Sequence, residues 1–425
     1  MVAIDAILVK GNGPLRGEIA ISGSKNAALP ILTASILFED PVSIENVPEL
    51  RDITTLLNLL SLLGVRSVRR GKRIVLDASG PLSHEAPYDL VRKMRASIYV
   101  LGPLLARVGE ARVSLPGGCA WGPRPVDLHI MAMEKLGAEV AVEHGYVVAK
   151  SPPGGLRGAT IPFGISSVGA TCNALLACVT AKGETTIENA AIEPEVDSLA
   201  EFLAACGAPI QGIGTRTLHI RGVDRLRAVP FSVIPDRIEA GTFLAAAAIT
   251  GGDLNVTGCR PDHLDAVLQT LREAGCEIET GKDSVRCKGT LPPKSFDVTT
   301  APYPGFPTDM QAQMMALASI GDGVSRLTDT IYTDRFTHVA ELVRLGADVR
   351  LEGNTAVVRP TGGLSGARVM ASDLRASAAL IVAGLVAKGQ THVSRVYHID
   401  RGYERIEEKL RNVGANIERI REEDP

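Results

Sequence analysis

The pattern of apolar and polar positions along this chain repeats itself. An apolar stripe at helical spacing that ends in glycine and resumes with a small residue occurs six times: Leu60…Gly64-Val65, Met133…Gly137-Ala138, Leu203…Gly207-Ala208, Leu271…Gly275-Cys276, Leu342…Gly346-Ala347 and Leu410…Gly414-Ala415. Successive glycines stand 73, 70, 68, 71 and 68 residues apart, so six units account for nearly all of the 425 residues. Glycine tolerates the left-handed conformation that closes a helix, and alternating residues follow at once. Each phrase therefore predicts an amphipathic helix running into a strand. In the second unit, residues 126–136 have helical spacing, 138–143 alternate as a half-buried strand, and 146–150 answer across His144-Gly145.

Each unit also holds a helix rich in alanine and apolar nearly all round, expected at 26–37, 94–106, 168–181, 237–249, 309–320 and 374–387. A helix without a polar face is buried on every side. The unit thus reads strand, buried helix, strand, amphipathic helix, strand, strand, an α/β architecture with sheets outside and Ala-rich helices inside. Six units divide as three and three, and Val229-Pro230-Phe231-Ser232-Val233 marks a crossing near the middle. The expected domains are 25–233, and 1–24 joined to 234–425, with the opening strands at 6–10 and 17–22 pairing into the second half. Two similar globules with a cleft between them are the expectation.

Composition narrows the class without changing this picture. A chain with 45% hydrophobic and 22% charged residues, 43 Gly and 4% aromatics is an ordinary globular protein, which excludes disorder, collagen and coiled coil. Its 45 basic and 48 acidic residues leave a net charge of −3, so there is no broad basic field for nucleic acid and any anion site is local. The longest apolar runs, 380–387 and 243–249, fall well short of the ~20 residues that span a bilayer, and residues 1–5 carry no leader pattern. A cytoplasmic protein is expected, without membrane insertion. Seven cysteines with no C-x-x-C pair predict free thiols, and eight histidines without ligand spacing predict no metal. No cofactor is expected, and oligomeric state has no signature here.

Candidate chemistry gathers at the starts of the inner helices. They read Ser24-Lys25-Asn26, Lys93-Met94-Arg95-Ala96-Ser97, Pro235-Asp236-Arg237, Pro307-Thr308-Asp309 and Ser372-Asp373-Leu374-Arg375. Ser, Thr and Asp are ordinary cap residues. Lys and Arg are poor partners for a positive helix end, so their recurrence points to a bound polyanion. The loop Leu115-Pro116-Gly117-Gly118-Cys119-Ala120-Trp121-Gly122-Pro123-Arg124-Pro125 has no regular structure in its composition. Cys119 lies between glycines and five residues from Arg124, where a reactive thiol is plausible, whereas Cys172, Cys178 and Cys206 sit in helical patterns as core residues. Asp309 reads equally as a general base facing a cleft or as a plain N-cap. Arg401, in His398-Ile399-Asp400-Arg401-Gly402-Tyr403-Glu404-Arg405, reads as an anion clamp or as a surface ion pair with Asp400 or Glu404. Gly212-Ile213-Gly214 lacks a third glycine and reads as a turn.

At Ser22-Gly23-Ser24-Lys25-Asn26-Ala27-Ala28-Leu29-Pro30, Pro116-Gly117-Gly118-Cys119, Arg124-Pro125-Val126-Asp127-Leu128-His129, Phe306-Pro307-Thr308-Asp309-Met310-Gln311, Asp373-Leu374-Arg375-Ala376-Ser377 and the Arg401 segment, the chain resembles the UDP-N-acetylglucosamine enolpyruvyl transferases. The likeness runs over nearly the whole chain. It implies a two-domain inside-out α/β barrel with three repeats per domain. It also implies transfer of the enolpyruvyl group of phosphoenolpyruvate to the 3-hydroxyl of UDP-N-acetylglucosamine with release of phosphate, the step committing that sugar to peptidoglycan and cell-wall synthesis. By the same resemblance Lys25, Arg124 and Arg401 clamp phosphoenolpyruvate, and Asp309 takes the hydroxyl proton. Cys119 is the loop thiol that donates a proton to the methylene carbon and bonds to fosfomycin. Asn26, Arg95, Arg124, Pro125, Val126, Asp127, Leu128, Ile165, Ser166, Ser167, Val168, Asp309 and Ile331 line the sugar nucleotide, with Asp373 and Arg375 among the substrate-binding positions.

Three positions depart from the family pattern. Some members carry Lys where this chain has Ile165, so a charged contact to the diphosphate is missing or comes from Arg95 or Arg237. Trp121 and Pro123 are bulkier or stiffer than the small residues some members place beside the thiol. An enolpyruvyl transferase for another acceptor and a silent ligand-sensing paralogue are the rival readings. The shikimate-phosphate branch normally follows Gly-Ser-Lys with Ser and lacks the Pro-Gly-Gly-Cys loop, unlike Asn26-Ala27-Ala28 and 116–119 here.

Overall fold

The computed structural model describes residues 4–91, 94–115 and 126–422. Chain contacts divide it into two units, one running from Gly23 to Ile234 and one joining the segment up to Ser22 with everything from Pro235 onward. Each has its own hydrophobic core.

Both units are built from four-stranded sheets of one design, three sheets in each. A short strand pairs in parallel with the next, and the remaining pairs are antiparallel. Glu85–Ala86 runs parallel to Glu110–Ser114, which pairs antiparallel with Tyr146–Lys150, itself antiparallel to Glu139–Glu143. Three strands are borrowed along the chain. Phe231–Ser232 returns to run parallel to Val42–Glu45, Arg16–Ala20 runs parallel to Asp253–Thr257, and Ile4–Lys10 lies between Gln390–Ser394 and Asn416–Glu422.

The six repeat glycines close six helices in the same way. Gly64, Gly137, Gly207, Gly275, Gly346 and Gly414 all have positive φ, between 91° and 100°. In each case the glycine N–H bonds to the carbonyl three residues back, and the next N–H bonds to the carbonyl of the buried apolar residue one further back. At the first site these bonds are Gly64 to Ser61 at 3.1 Å and Val65 to Leu60 at 2.9 Å; at the last they are Gly414 to Arg411 and Ala415 to Leu410, both at 3.0 Å. This is the Schellman closure, and it satisfies carbonyls that a helix end leaves open. It also turns the chain straight into the following strand, which is why helix and strand alternate without an intervening loop.

The alanine-rich helices are Lys25–Thr33, Leu101–Arg107, Val168–Cys178, Arg237–Thr250, Gln311–Ala318 and Leu374–Gly384. Every residue of Arg237–Thr250 except the first is buried. Small residues permit the close approach: a Cβ on Gly241 would lie 2.9 Å from Met310 Sδ. The helices expected at 94–106 and 309–320 are each entered through a 3₁₀ segment, Arg95–Val100 and Thr308–Met310. In the first, Pro103 falls in the opening turn of Leu101–Arg107, where its missing N–H is tolerated. Sheets outside and alanine-rich helices inside make each unit an inside-out α/β barrel of three βαβαββ repeats. No helix among the described residues is long and apolar enough to cross a membrane.

Candidate active site

The residues singled out by the sequence fall in both units. In the unit from Gly23 to Ile234, Ser24 caps the first inner helix by accepting from the Ala27 N–H at 3.4 Å. Lys25 follows it. Its Nζ lies 3.0 Å from Asp52 Oδ2, with side-chain exposures of only 10% and 5%. A buried ammonium requires such a counter-charge, and Asp52 in the first turn of Arg51–Leu62 supplies it. Nothing in the sequence marked Asp52, because an acidic residue in a first helical turn is ordinary. Asn26 is half-buried beside it.

The strips around residues 126–129 and 165–169 adjoin in the same unit. Ser167 caps Val168–Cys178, accepting from the Ala170 N–H at 3.3 Å. Ser166 and Val168 are half-buried, while Ile165 is 69% exposed. Helix Asp127–Lys135 starts with Asp127 exposed, flanked by half-buried Val126 and Leu128. Its next residue, His129, is buried so close to Gly169 that a Cβ there would lie 3.2 Å from the ring. Cys119, Arg124 and Pro125 lie outside the described residues, as do Trp121, Pro123 and the side chain of Arg95.

The other unit builds a carboxylate between two buried guanidinium groups. Asp309 sits in the 3₁₀ turn ahead of Gln311–Ala318, its side chain 28% exposed. It caps nothing. Oδ1 instead accepts from Arg335 Nη1 at 2.7 Å, and Oδ2 stands 3.9 Å from Arg375 Nε. Arg335 also donates to Thr308 Oγ1 at 3.1 Å, and its other terminal nitrogen lies 4.0 Å from Asp373 Oδ1. Burial works against its charge, but Asp309 and Asp373 outweigh that, so its pKa lies above the ordinary arginine value. Asp329 holds the surroundings in place. It accepts from Thr300 Oγ1 at 2.9 Å, Thr308 Oγ1 at 2.6 Å and the N–H groups of Ile331 and Tyr332 at 2.9 and 2.8 Å. Ile331, 37% exposed, is fixed by that turn.

Asp373 and Arg375 have protein partners. Asp373 caps Leu374–Gly384, accepting from the N–H groups of Arg375 and Ala376 at 2.8 and 3.1 Å. The Arg375 guanidinium, 3% exposed, reaches Asp236 Oδ2 at 3.2 Å and the Gly402 carbonyl at 3.2 Å, and lies 5.0 Å from the Tyr403 ring centroid. The anion that its place at a helix start predicted is Asp236, itself the cap of Arg237–Thr250. The Arg375 guanidinium is therefore held among Asp236, the Gly402 carbonyl and Asp309. Arg401 ends the 3₁₀ segment Val396–Arg401 and is half-buried. Of the two carboxylates considered for it, Asp400 accepts from Arg419 at 2.7 and 3.1 Å and Glu404 from Ser22 Oγ at 2.5 Å. Burial, with Arg401 adding to it, lowers the pKa of His398 beside it.

Such a held, partly exposed carboxylate can accept a proton from a bound hydroxyl, and buried cations at helix starts suit a phosphorylated partner. Comparison with known proteins gives that chemistry a family. Residues 9–410 match the EPSP synthase (3-phosphoshikimate 1-carboxyvinyltransferase) family. A UDP-N-acetylglucosamine 1-carboxyvinyltransferase of Chlorobium luteolum is 55% identical over 417 residues, 98% of each chain. One of Oleidesulfovibrio alaskensis is 56% identical over 421 residues, 99% of this chain and all of its own. This chain belongs to the UDP-N-acetylglucosamine 1-carboxyvinyltransferase family. Solved structures of the wider enolpyruvyl transferase group agree in fold. The enolpyruvyl transferase NikO from Streptomyces tendae matches with a TM-score of 0.88 at 26% identity, over 99% of this chain and 100% of that one. An EPSP synthase from Acinetobacter baumannii matches with 0.76 at 18% identity, over the same shares. Within this 1-carboxyvinyltransferase family member, Arg335 and Asp52 are the charged partners of Asp309 and Lys25 that the sequence reading does not single out.

Proposed function

We propose that this protein transfers the enolpyruvyl group of phosphoenolpyruvate to the 3-hydroxyl of UDP-N-acetylglucosamine, releasing phosphate, and that it does so in the cytoplasm as the committing step of peptidoglycan synthesis. Lys25, Arg124 and Arg401 hold the phosphate and carboxylate of phosphoenolpyruvate, because three cations match its charge. The Cys119 thiol gives its proton to the methylene carbon, and the hydroxyl oxygen bonds to the neighbouring carbon while its proton passes to Asp309. Loss of phosphate from the resulting tetrahedral ketal, with a methyl proton returning to Cys119 and the Asp309 proton leaving with phosphate, restores the double bond. Asn26, Arg95, Arg124, Pro125, Val126, Asp127, Leu128, Ile165, Ser166, Ser167, Val168, Asp309 and Ile331 receive the sugar nucleotide, and Asp373 and Arg375 are further substrate-binding residues.

What supports this reading is the full-length similarity to enzymes of that name, together with an Asp309 carboxylate oriented by Arg335 at 2.7 Å and still partly open. A carboxylate oriented by a guanidinium needs only to collect a proton from a hydroxyl attacking an already activated carbon. The test is inorganic phosphate release with phosphoenolpyruvate and a panel of nucleotide sugars. Release with UDP-N-acetylglucosamine alone is expected, and preference for another acceptor would overturn the assignment. Fosfomycin should label Cys119, faster when the sugar nucleotide is present; labelling at another cysteine would contradict its role.

A further inference from the structure

Cys276 and Cys287 are free thiols that the fold brings together. Strands Glu277–Thr280 and Ser284–Lys288 pair antiparallel, with Ile278 opposite Cys287. Cys276 stands two residues ahead of Ile278, and side chains two apart along an extended chain share a face. Cys276 is therefore diagonal to Cys287, and both are buried in the same core, at 7% and 0% exposure. Their thiols hydrogen-bond to each other: the Cys287 S–H donates to the Cys276 sulfur, which also accepts from the Thr290 N–H. The main chain of Cys276 is fixed as well. It follows Gly275, whose φ of 91° closes helix Asp265–Glu273, and its N–H bonds to the Leu271 carbonyl at 3.0 Å.

The pair is asymmetric. The bonds from Cys287 and Thr290 favour a thiolate at Cys276 and hold it below the ordinary thiol range, against its burial. Cys287, which gives its hydrogen to that sulfur and is the more deeply buried, is pushed well above that range. Burial likewise pushes up Cys172, Cys178, Cys206 and Cys259, so among the described cysteines Cys276 alone has its thiolate favoured. Of the two partners, Cys276 also keeps the open surface.

We propose that Cys276 and Cys287 form a modification site for hydrogen peroxide, at which Cys276 reacts first and Cys287 closes a disulfide. The Cys276 sulfur attacks one peroxide oxygen: an S–O bond forms, the O–O bond breaks, and hydroxide leaves with the thiol proton as water. The Cys287 sulfur then attacks the Cys276 sulfur. An S–S bond forms, the S–O bond breaks, and the departing hydroxide takes the Cys287 proton as a second water. Two thiols are oxidised and one peroxide is reduced to two waters. The new bond would fasten the close of helix Asp265–Glu273 to strand Ser284–Lys288.

The full chain, folded and treated with hydrogen peroxide, is alkylated in urea, digested with trypsin and read by mass spectrometry. Trypsin cuts after Arg272, Lys282 and Arg286, so the expected product is peptide 273–282 joined to Cys287-Lys288 with the loss of two hydrogens, and separated again by a dithiol. Both cysteines alkylated throughout, Cys276 carried on to sulfinic acid with Cys287 free, or either one joined to a different cysteine would overturn the proposal. The order is read with dimedone, which traps a sulfenic acid. Cys287→Ser should accumulate the adduct at position 276, and Cys276→Ser should give none at position 287; the reverse labelling would overturn the assigned order. The linked peptides are read in the unmodified chain, so the pair is decided even where a variant fails to fold.

Discussion

Arg335, 6% exposed, orients Asp309 by a 2.7 Å hydrogen bond from Nη1 to Oδ1, and Oδ2 stands 3.9 Å from Arg375 Nε. If Asp309 takes the hydroxyl proton, Asp309→Ala should abolish turnover with the fold intact. Arg335→Met should lower kcat about a hundredfold, the usual result of letting a reacting group drift by about an ångström. Arg335→Lys should recover little of that, because an ammonium lacks the second terminal nitrogen that faces Asp373 while Nη1 bonds Thr308 and Asp309. Steady-state kinetics alongside circular dichroism check all three; a near-normal kcat for Asp309→Ala would remove its assigned role.

His338 gives the fold an acid limit. Burial pushes its pKa down from 6.5 to about 4, with neighbouring Asp373 opposing and Arg335 assisting. Neither ring nitrogen has a hydrogen-bond partner among the described residues. An unfolded chain therefore takes up a proton that the fold refuses. Stability is complete above about pH 6.5 and falls as the pH drops towards 4, by about 3 kcal/mol at the lower end. His338→Leu should flatten that fall. Melting temperatures at pH 7, 5.5 and 4.5 test it, with parallel curves for the two proteins as the contrary result.

Asp197 works with the opposite sign. Burial raises its pKa from 3.8 to about 6, and Glu201, Glu193 and Glu195 add repulsion against the one stabilising bond from the Gly214 N–H. The stability associated with its neutral form is present below about pH 3.8 and is lost as the pH rises through 6. Asp197→Asn should accordingly melt higher than the parent at pH 7.5 and at the same temperature near pH 3.5.

A third charged group is held by its partner. Glu239 is 2% exposed, and Lys409 reaches its Oε1 at 2.7 Å while the Ser22 N–H reaches Oε2 at 2.7 Å. Lys409→Met strands the carboxylate and should cost about 3–5 kcal/mol in urea unfolding. Adding Glu239→Gln should restore part of that loss, because the uncompensated charge goes with it.

The closing glycines separate two costs. At Gly414, with φ of +99°, an added Cβ meets nothing within 4 Å, so Gly414→Ala should lose about 1 kcal/mol to the left-handed backbone alone. At Gly64 the Cβ would also lie 2.5 Å from the Pro81 carbonyl oxygen, so Gly64→Ala should lose roughly twice that or more. Denaturant midpoints for the two variants decide the order.

These glycines are also why so much of the fold could be read from the sequence. A left-handed residue after an apolar stripe is a local requirement, and it recurs six times. Burial of the alanine-rich helices was equally legible, since a helix with no polar side has nowhere else to go. The 3₁₀ entry at Arg95–Val100 leaves no mark in an unbroken apolar pattern. Asp309 resembled a cap until Arg335, 26 residues on, gave its carboxylate another partner. Lys25 and Asp52 likewise meet across a helix and a strand. Pairings of that range leave no period in the chain.

Strand Ile4–Lys10 has its two neighbours in Gln390–Ser394 and Asn416–Glu422. On a ribosome, this strand is thus made long before either neighbour. The unit from Gly23 to Ile234 has all three of its sheets available to it long before that. A nascent chain stalled ahead of residue 416 would leave one edge of that strand unsatisfied, a natural handle for chaperones and proteases.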